Sequence, residues 1–402
     1  MQRPDVRRDM GTSAPSAVLT ERLKALDSLR GFAIASMVLL NLSAVLLDGL
    51  PPFPLRLLGS LAAAPIFVAL SGFMVALTAP RHGFVYFLAN RGLWVLAVGA
   101  FVDLVVWRLY PFMSVEVLYL IGVSMPLAYL ALKLGRWQRV GLVAALVALG
   151  WLLRRLLGYS DFPLEFYIWG QQVFTLAASP QLGPLQHWLV DGWFPLFPWL
   201  AFAVLGAHLG QSFRERQRVA FFGEPLLLGA ALTAAGAVAY AVAPPNSFPR
   251  GVWSELFYPP TVQFTVLALG VSTLLILIFL RWGGLRQASL LLHPLSVLGR
   301  ASLGLYFLHL ALIVYVGLRV SGGWSQLTLG QYALAYLALM LLLLTLAQAY
   351  AFLRARQGRL LSVGLRAGVG GILAAAAIVL ALAALLEGTA FATRLHQVLA
   401  YY

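Results

Sequence analysis

Polar and charged positions cut the chain into long apolar runs. Bounded by charges, prolines or glycines, these runs fall at about 28–47, 57–79, 92–110, 114–132, 140–158, 193–211, 225–243, 260–280, 301–319, 329–352 and 368–386. About 20 apolar residues cross a ~30 Å hydrocarbon layer as a helix. The pattern therefore predicts an all-α, polytopic membrane helix bundle of about eleven transmembrane helices, with ten to twelve in range. In the first run, LDSLRGFAIASMVLLNLSAVLLD (26–48), Asp27 and Arg30 are followed by 17 uncharged residues before Asp48. One amide, Asn41, interrupts the apolar stretch. Eleven residues separate Arg30 from Asn41, so they share a helix face roughly 16 Å apart along the axis. Asp27, Ile34, Val38, Val45 and Asp48 lie on or near the same stripe. Polar groups inside a bilayer face a bundle interior or a watery cavity, so this seam is read as one wall of the functional site.

Composition supports the class: 61% of the 402 residues are hydrophobic and 10% charged. The chain contains no cysteine, which excludes disulfides, thiolate nucleophiles and Cys-ligated metals. Residues 1–22 are polar with no apolar core, and read as a flexible cytoplasmic tail rather than a cleavable signal. Lys and Arg crowd alternate loops: the first thirty residues, Arg81 and Arg91, Lys133 to Arg139, Arg214 to Arg218, Arg281 to Arg300 and Arg354 to Arg366. Only Arg56, Arg108, Arg154, Arg155, Arg250, Arg319 and Arg394 fall on the other side. The positive-inside rule then sets the N-terminus in the cytoplasm and the C-terminus on the other side of the membrane. The basic face attracts an acidic cytosolic ligand, and equally the anionic headgroups of the bilayer. With no compact basic domain, nucleic acid is not an expected partner. Residues 23–320 read as the core, and 321–402 as additional transmembrane helices with a short outer tail.

Several side chains stand out against this background. Small residues in the second span (Ala62 to Ala64, Ala69, Ser71, Gly72) permit close helix contact. Asp103 lies deep in the third span with Arg108 about 140° round the helix, so its partner must come from another helix or be water. Ser114 and Glu116 open the fourth span as an N-cap and a dipole-favoured acid. In the aromatic outer segment 159–191, His187 and Asp191 are four apart and can pair as an oriented general base. His309, seven residues after Ser302 and on its face, sits a third to half-way into the membrane, where an unbonded histidine is costly. There is no Walker, Rossmann or HExxH pattern and no His/Asp/Glu cluster, so no metal is expected.

The segments LDSLRGFAIASMVLLN (26–41), APIFVALSGFM (64–74), RGLWVL (91–96), VLYLIGVSM (117–125), FPLFPWLAFAVLGAHLG (194–210), YPPTVQFTVLALG (258–270) and LGRASLGLYFLHL (298–310) follow one another in an order that resembles bacterial membrane proteins related to the catalytic domain of heparan-α-glucosaminide N-acetyltransferase, in the broader acyltransferase-3/YeiB group. The resemblance implies a transmembrane acyltransferase with acyl-CoA, most simply acetyl-CoA, as co-substrate. Its acyl group would pass to a hydroxyl or amine of an extracytoplasmic glycan or lipid-linked acceptor in the cell envelope. Arg30, Arg91 and Arg300, with Asp27 beside them, would then meet the CoA phosphates, and Asn41 matches the family's polar position in the first span. The histidine that the heparan branch carries just after that asparagine has no counterpart here: the loop reads SAVLLDGLPPFP, with Asp48 its ionisable residue before Arg56. Bacterial relatives often carry a histidine where Leu61 stands and an acid about where Gly99 stands.

Acyl transfer requires a base for the acceptor and donors for the developing oxyanion. Asn41 can donate; Asp48, His187 with Asp191, or His309 can serve as base. A non-enzymatic carrier or flippase for a polar headgroup, and a catalytically degenerate partner subunit, are the alternatives. The lipid bilayer is the obligatory partner, and a homodimer stays open.

Overall fold

The computed structural model describes residues 14–107, 109, 111–112, 114–159, 184–215, 218–245, 253–282 and 292–356. These residues form an all-α bundle without named strands. Ten of the eleven expected spans are helical; the eleventh, at 368–386, and the expected N- and C-terminal tails lie outside the described residues, apart from residues 14–22, which belong to the first helix.

The helices are α1 (Ala14–Leu46), α2 (Phe53–Ala62), α3 (Ala64–Thr78), α4 (Leu93–Val102), α5 (Val117–Ala131) and α6 (Arg136–Leu157). They continue as α7 (Leu196–Glu215), α8 (Arg218–Val242), α9 (Val262–Trp282), α10 (His293–Arg300), α11 (Ser302–Leu312) and α12 (Leu329–Arg356). Proline explains some breaks: α2 begins after Pro52, and Pro65 sits in the first turn of α3, where its missing N–H costs nothing. Wider π turns occur at Tyr86–Gly92, Asp103–Trp107, His187–Asp191 and Ile313–Gly317, a deformation common beside functional sites.

Between helices in lipid there is no hydrophobic drive, so association depends on close van der Waals packing of small residues. α3 and α7 show this best. A Cβ on Gly72 would lie 1.9 Å from the Ala203 carbonyl, and one on Gly206 1.8 Å from that of Ala69. α10 meets α1 in the same way, with a Cβ on Gly31 falling 1.9 Å from Leu295 O and one on Gly299 1.7 Å from Asp27 O. α12 docks on α1 through Tyr332 Oη, which donates to Leu39 O at 2.7 Å, and Tyr336 Oη, which donates to Ala35 O at 3.2 Å. The segment 253–260 between α8 and α9 is irregular yet buried at Leu256, Phe257 and Tyr258. It lies between, and outside, the apolar spans Phe222–Val242 and Val262–Trp282. Here Leu256 N donates to Ser60 Oγ at 2.9 Å and Arg56 Nε to Ser254 O at 2.7 Å, which straps the segment to α2.

Candidate functional site

The glycine contact of α10 with α1 delivers Arg300 to the start of the polar seam. Asp27 binds Arg30 at 2.9 Å and also feels the charge of Arg300, while Arg30 feels that of Arg91. Arg91 Nε donates to Tyr86 Oη at 2.9 Å, and His82 stacks on the Tyr86 ring at 3.8 Å. Asp27 thus lies within electrostatic reach of Arg30 and Arg300, and Arg30 of Arg91.

From Arg30 and Arg91 a chamber of about 400 Å³ is lined further by Ser71, Thr78, Met125 and Ser302. A second, small one of about 60 Å³ is lined by Asn41, Glu116, Glu255 and the tryptophans 107, 193 and 253. Phe67, Val117 and Tyr306 line both. These three side chains thus form a neck between a basic mouth and an aromatic, acidic interior.

Asn41 and His309, far apart in sequence, meet here. Asn41 Nδ2 lies 2.9 Å from His309 Nε2, and His309 Nδ1 lies 3.0 Å from Leu305 O. A carbonyl can only accept, so the Nδ1 proton is assigned from this network. His309 Nε2 then accepts from the Asn41 amide. The histidine is fully buried and does not line the chamber; Asn41 does. His309 therefore holds the amide of Asn41, which itself lines the cavity.

The acids divide into two kinds. Asp103 is fully buried and accepts from Ser114 Oγ and Tyr119 Oη, both at 2.6 Å. Ser114 Oγ in turn accepts from Glu116 N at 3.2 Å. That network orders the turn from α4 into α5, so the partner expected for Asp103 does come from outside its own span. Glu116 accepts from Tyr306 Oη at the neck. Its other oxygen, Oε1, is buried without a hydrogen-bond partner and lies 3.0 Å from where a Cβ on Gly99 would stand. Glu116 thus fills, from α5, the space an acid at position 99 would occupy. Glu255 is 6% exposed and its Oε2 has no hydrogen-bond partner. Burial pushes its carboxyl up to about 7, against the pull of the nearby Arg56 guanidinium.

Trp107, Trp193 and Trp253 pack against one another with ring centroids 5.5, 5.7 and 6.1 Å apart. They arrive from three places in the chain: a π turn, the approach to α7 and the strapped segment.

The remaining expected site residues fall elsewhere. Asp48 is exposed, its backbone N–H donates to Leu327 O at 2.8 Å, and its side chain does not line the chamber. His187 and Asp191 do pair, at 3.0 Å and almost fully buried, with Gln186 Nε2 also donating to Asp191 at 3.1 Å. That pair lies outside the chamber lining, although Trp193, two residues on, belongs to it. Sequence reasoning missed Glu255, Tyr306 and the tryptophan triad. A lone acid flanked by aromatics in VWSELFYPP was the available signal. Among the described residues no three His, Asp or Glu side chains gather as a metal site.

A family model described as heparan-alpha-glucosaminide N-acetyltransferase, catalytic, matches residues 22–242, more than half of the chain. The matched region carries Arg30, Asn41, Arg91 and Glu116; Glu255, Tyr306 and His309 follow it. No curated protein matches the chain as a relative.

Proposed function

Because the chain belongs to the heparan-alpha-glucosaminide N-acetyltransferase catalytic family, we propose that it carries an acyl group through the membrane by transfer from acyl-CoA, acetyl-CoA first among them. The acceptor is a hydroxyl or amine of a glycan or lipid-linked molecule on the far side. The observation that carries this reading is the shared neck: a basic mouth and an acidic, aromatic chamber meet at Phe67, Val117 and Tyr306.

Arg30, Arg91 and Arg300 suit the phosphates of CoA, since guanidinium groups bind phosphate oxygens with paired, charge-assisted hydrogen bonds. This end is the cytoplasmic one, in keeping with the crowding of Lys and Arg on its loops. The pantetheine arm extends along the larger chamber and the thioester comes to the neck. There the amide of Asn41, held by His309, is a fixed donor for the carbonyl oxygen as negative charge develops on it. A pre-oriented donor in a water-poor site is worth far more than one in water. The thiol leaves by the mouth through which it entered.

The test is acyl transfer in proteoliposomes supplied with acetyl-CoA on one face and a mixture of amino sugars and polyols on the other. Thiol release dependent on acceptor, with a Michaelis constant for acetyl-CoA raised in Arg30→Ala and Arg91→Ala, supports the reading. Passage of an unmodified headgroup without CoA would establish a carrier in its place.

A further inference from the structure

The chamber beyond the neck holds Asn41 but none of the bases expected from the sequence, and two carboxylates that were not expected. Glu116 holds Tyr306 on one oxygen, and its other, the partnerless Oε1, faces α4 at Gly99. Glu255 has no side-chain donor. It is buried, lines the chamber beside Trp253, and keeps Oε2 without a hydrogen-bond partner. Backbone N–H groups of Ser254 and Glu255 act on the carboxyl, but the buried Oε2 has lost its water and gained no donor, a state held at a cost. Its backbone is pinned on both sides by Arg56 to Ser254 O and by Ser60 to Leu256 N.

From this geometry we infer that Glu255 is the general base of the acceptor half-site, a role that rests on the acyl-transfer reading above. The acceptor's hydroxyl or amine stands among the three tryptophans with its X–H directed at Glu255 Oε2. Glu255 takes that proton as X attacks the thioester carbonyl, and the carbon–X bond forms. The tetrahedral oxyanion collapses, the carbon–sulfur bond breaks and the electron pair leaves on sulfur. The thiolate is protonated by solvent at the basic mouth, and Glu255 returns its proton to solvent on the acceptor side. The net reaction is thioester plus acceptor to acylated acceptor plus thiol.

The titratable or charged groups around this chamber are Arg56 on α2, Glu116 ahead of α5, Tyr306 on α11 and Tyr258 on the strapped segment itself. Arg56 is the cation that acts on Glu255. With the carboxyl poised near neutrality, both of its forms are accessible at working pH, as a base that must cycle requires.

The test has two arms on the full-length protein in detergent. The first reads the group without turnover: a hydrophobic carbodiimide labels protonated carboxyls, and mass spectrometry locates the adduct. Labelling is expected at Glu255, rising as pH falls through about 7, and absent in Glu255→Gln. Label on Glu116 with none on Glu255 overturns the inference. The second arm compares acceptor-dependent thiol release. Glu255→Gln is expected to lower kcat by 10²-fold or more, to lose the acidic limb of the pH profile and to keep the acetyl-CoA Michaelis constant; Glu255→Asp restores part of the rate. Equal turnover in Glu255→Gln sinks the base assignment and leaves the acyltransferase reading standing. A wild-type protein that labels at Glu255 but never consumes acetyl-CoA overturns both the acyltransferase reading and the base role.

Discussion

The bond between Asn41 and His309 supports a sharp prediction. His309 touches no cavity space, so on our reading its whole contribution passes through the amide it holds at 2.9 Å. Replacing it with Ala removes that acceptor and also empties a fully buried site. The freed amide N–H loses a hydrogen bond, for which the cost of an unmet buried partner is about 1–3 kcal/mol. Asn41→Ala removes the same bond from the other end. The two single variants should therefore each destabilise, and the double variant should cost less than their sum by about 1 kcal/mol or more, as bonded pairs do. Turnover follows a different pattern. Loss of a fixed oxyanion donor lowers kcat by about 10²–10³-fold, so Asn41→Ala should all but abolish transfer while the protein stays folded in detergent. His309→Ala should fall short of that, roughly ten- to a hundredfold, because a mobile amide still donates part of the time. The double variant should match Asn41→Ala alone. Acetyl-CoA-dependent thiol release gives the rates, and thermal unfolding in detergent gives the stabilities. If His309→Ala is the more damaging change, or if the two rate effects multiply, then His309 acts on the substrate directly and the positioning argument fails.

Three further outcomes follow from the packing and charge. Gly206→Val puts branched atoms where a Cβ alone would stand 1.8 Å from Ala69 O; overpacking of this kind costs about 1–3 kcal/mol or more, seen as a lowered unfolding temperature, whereas the same change at Gly304, which has open space, should be mild. Asp103→Ala leaves the Ser114 and Tyr119 hydroxyls without their acceptor and should lower stability by about 3 kcal/mol; Asp103→Asn should recover part of it, and equal stability in all three would dismiss the network as an anchor. Burial raises the Glu255 carboxyl to about 7 from an ordinary value of 4.5, so the folded protein binds that proton more tightly than the unfolded chain. Its stabilising effect is complete below about 4.5 and is lost as pH rises through 7. Thermal stability should decline across that window, and Glu255→Gln should flatten the decline.

The parts of the site legible in the sequence were those where lipid imposes a rule. Asn41 and His309 are polar groups in apolar runs, and such groups must find partners inside the bundle; the two found each other. The shared face of Arg30 and Asn41 follows from helical spacing alone, and Gly72 announced the close approach of α3 to α7. Glu255 was hidden because an acid in a loop is ordinarily solvated, and nothing local says that 253–260 folds inward. That depends on Arg56 and Ser60, some two hundred residues earlier in the chain, reaching its backbone. Asp48 failed for the converse reason: it continues the stripe of α1, but the helix ends at Leu46 and the carboxylate turns outward to water. The three tryptophans stand far apart in the chain, and nothing local brings Trp107, Trp193 and Trp253 to one wall.

The neck carries a consequence for how such a protein turns over. Phe67, Val117 and Tyr306 obstruct the route with side chains mounted on three separate helices, not with backbone. A rotamer change at such a point leaves the helices where they are. An acyl group of a few atoms needs no wider door. On the acyl-transfer reading proposed above, the molecule has no call to rock between inward- and outward-facing shapes as a transporter does, and the glycine seams of α3 with α7 and α10 with α1 can stay locked throughout. What crosses the bilayer on that reading is a bond being exchanged between two stationary molecules, neither of which leaves its own side.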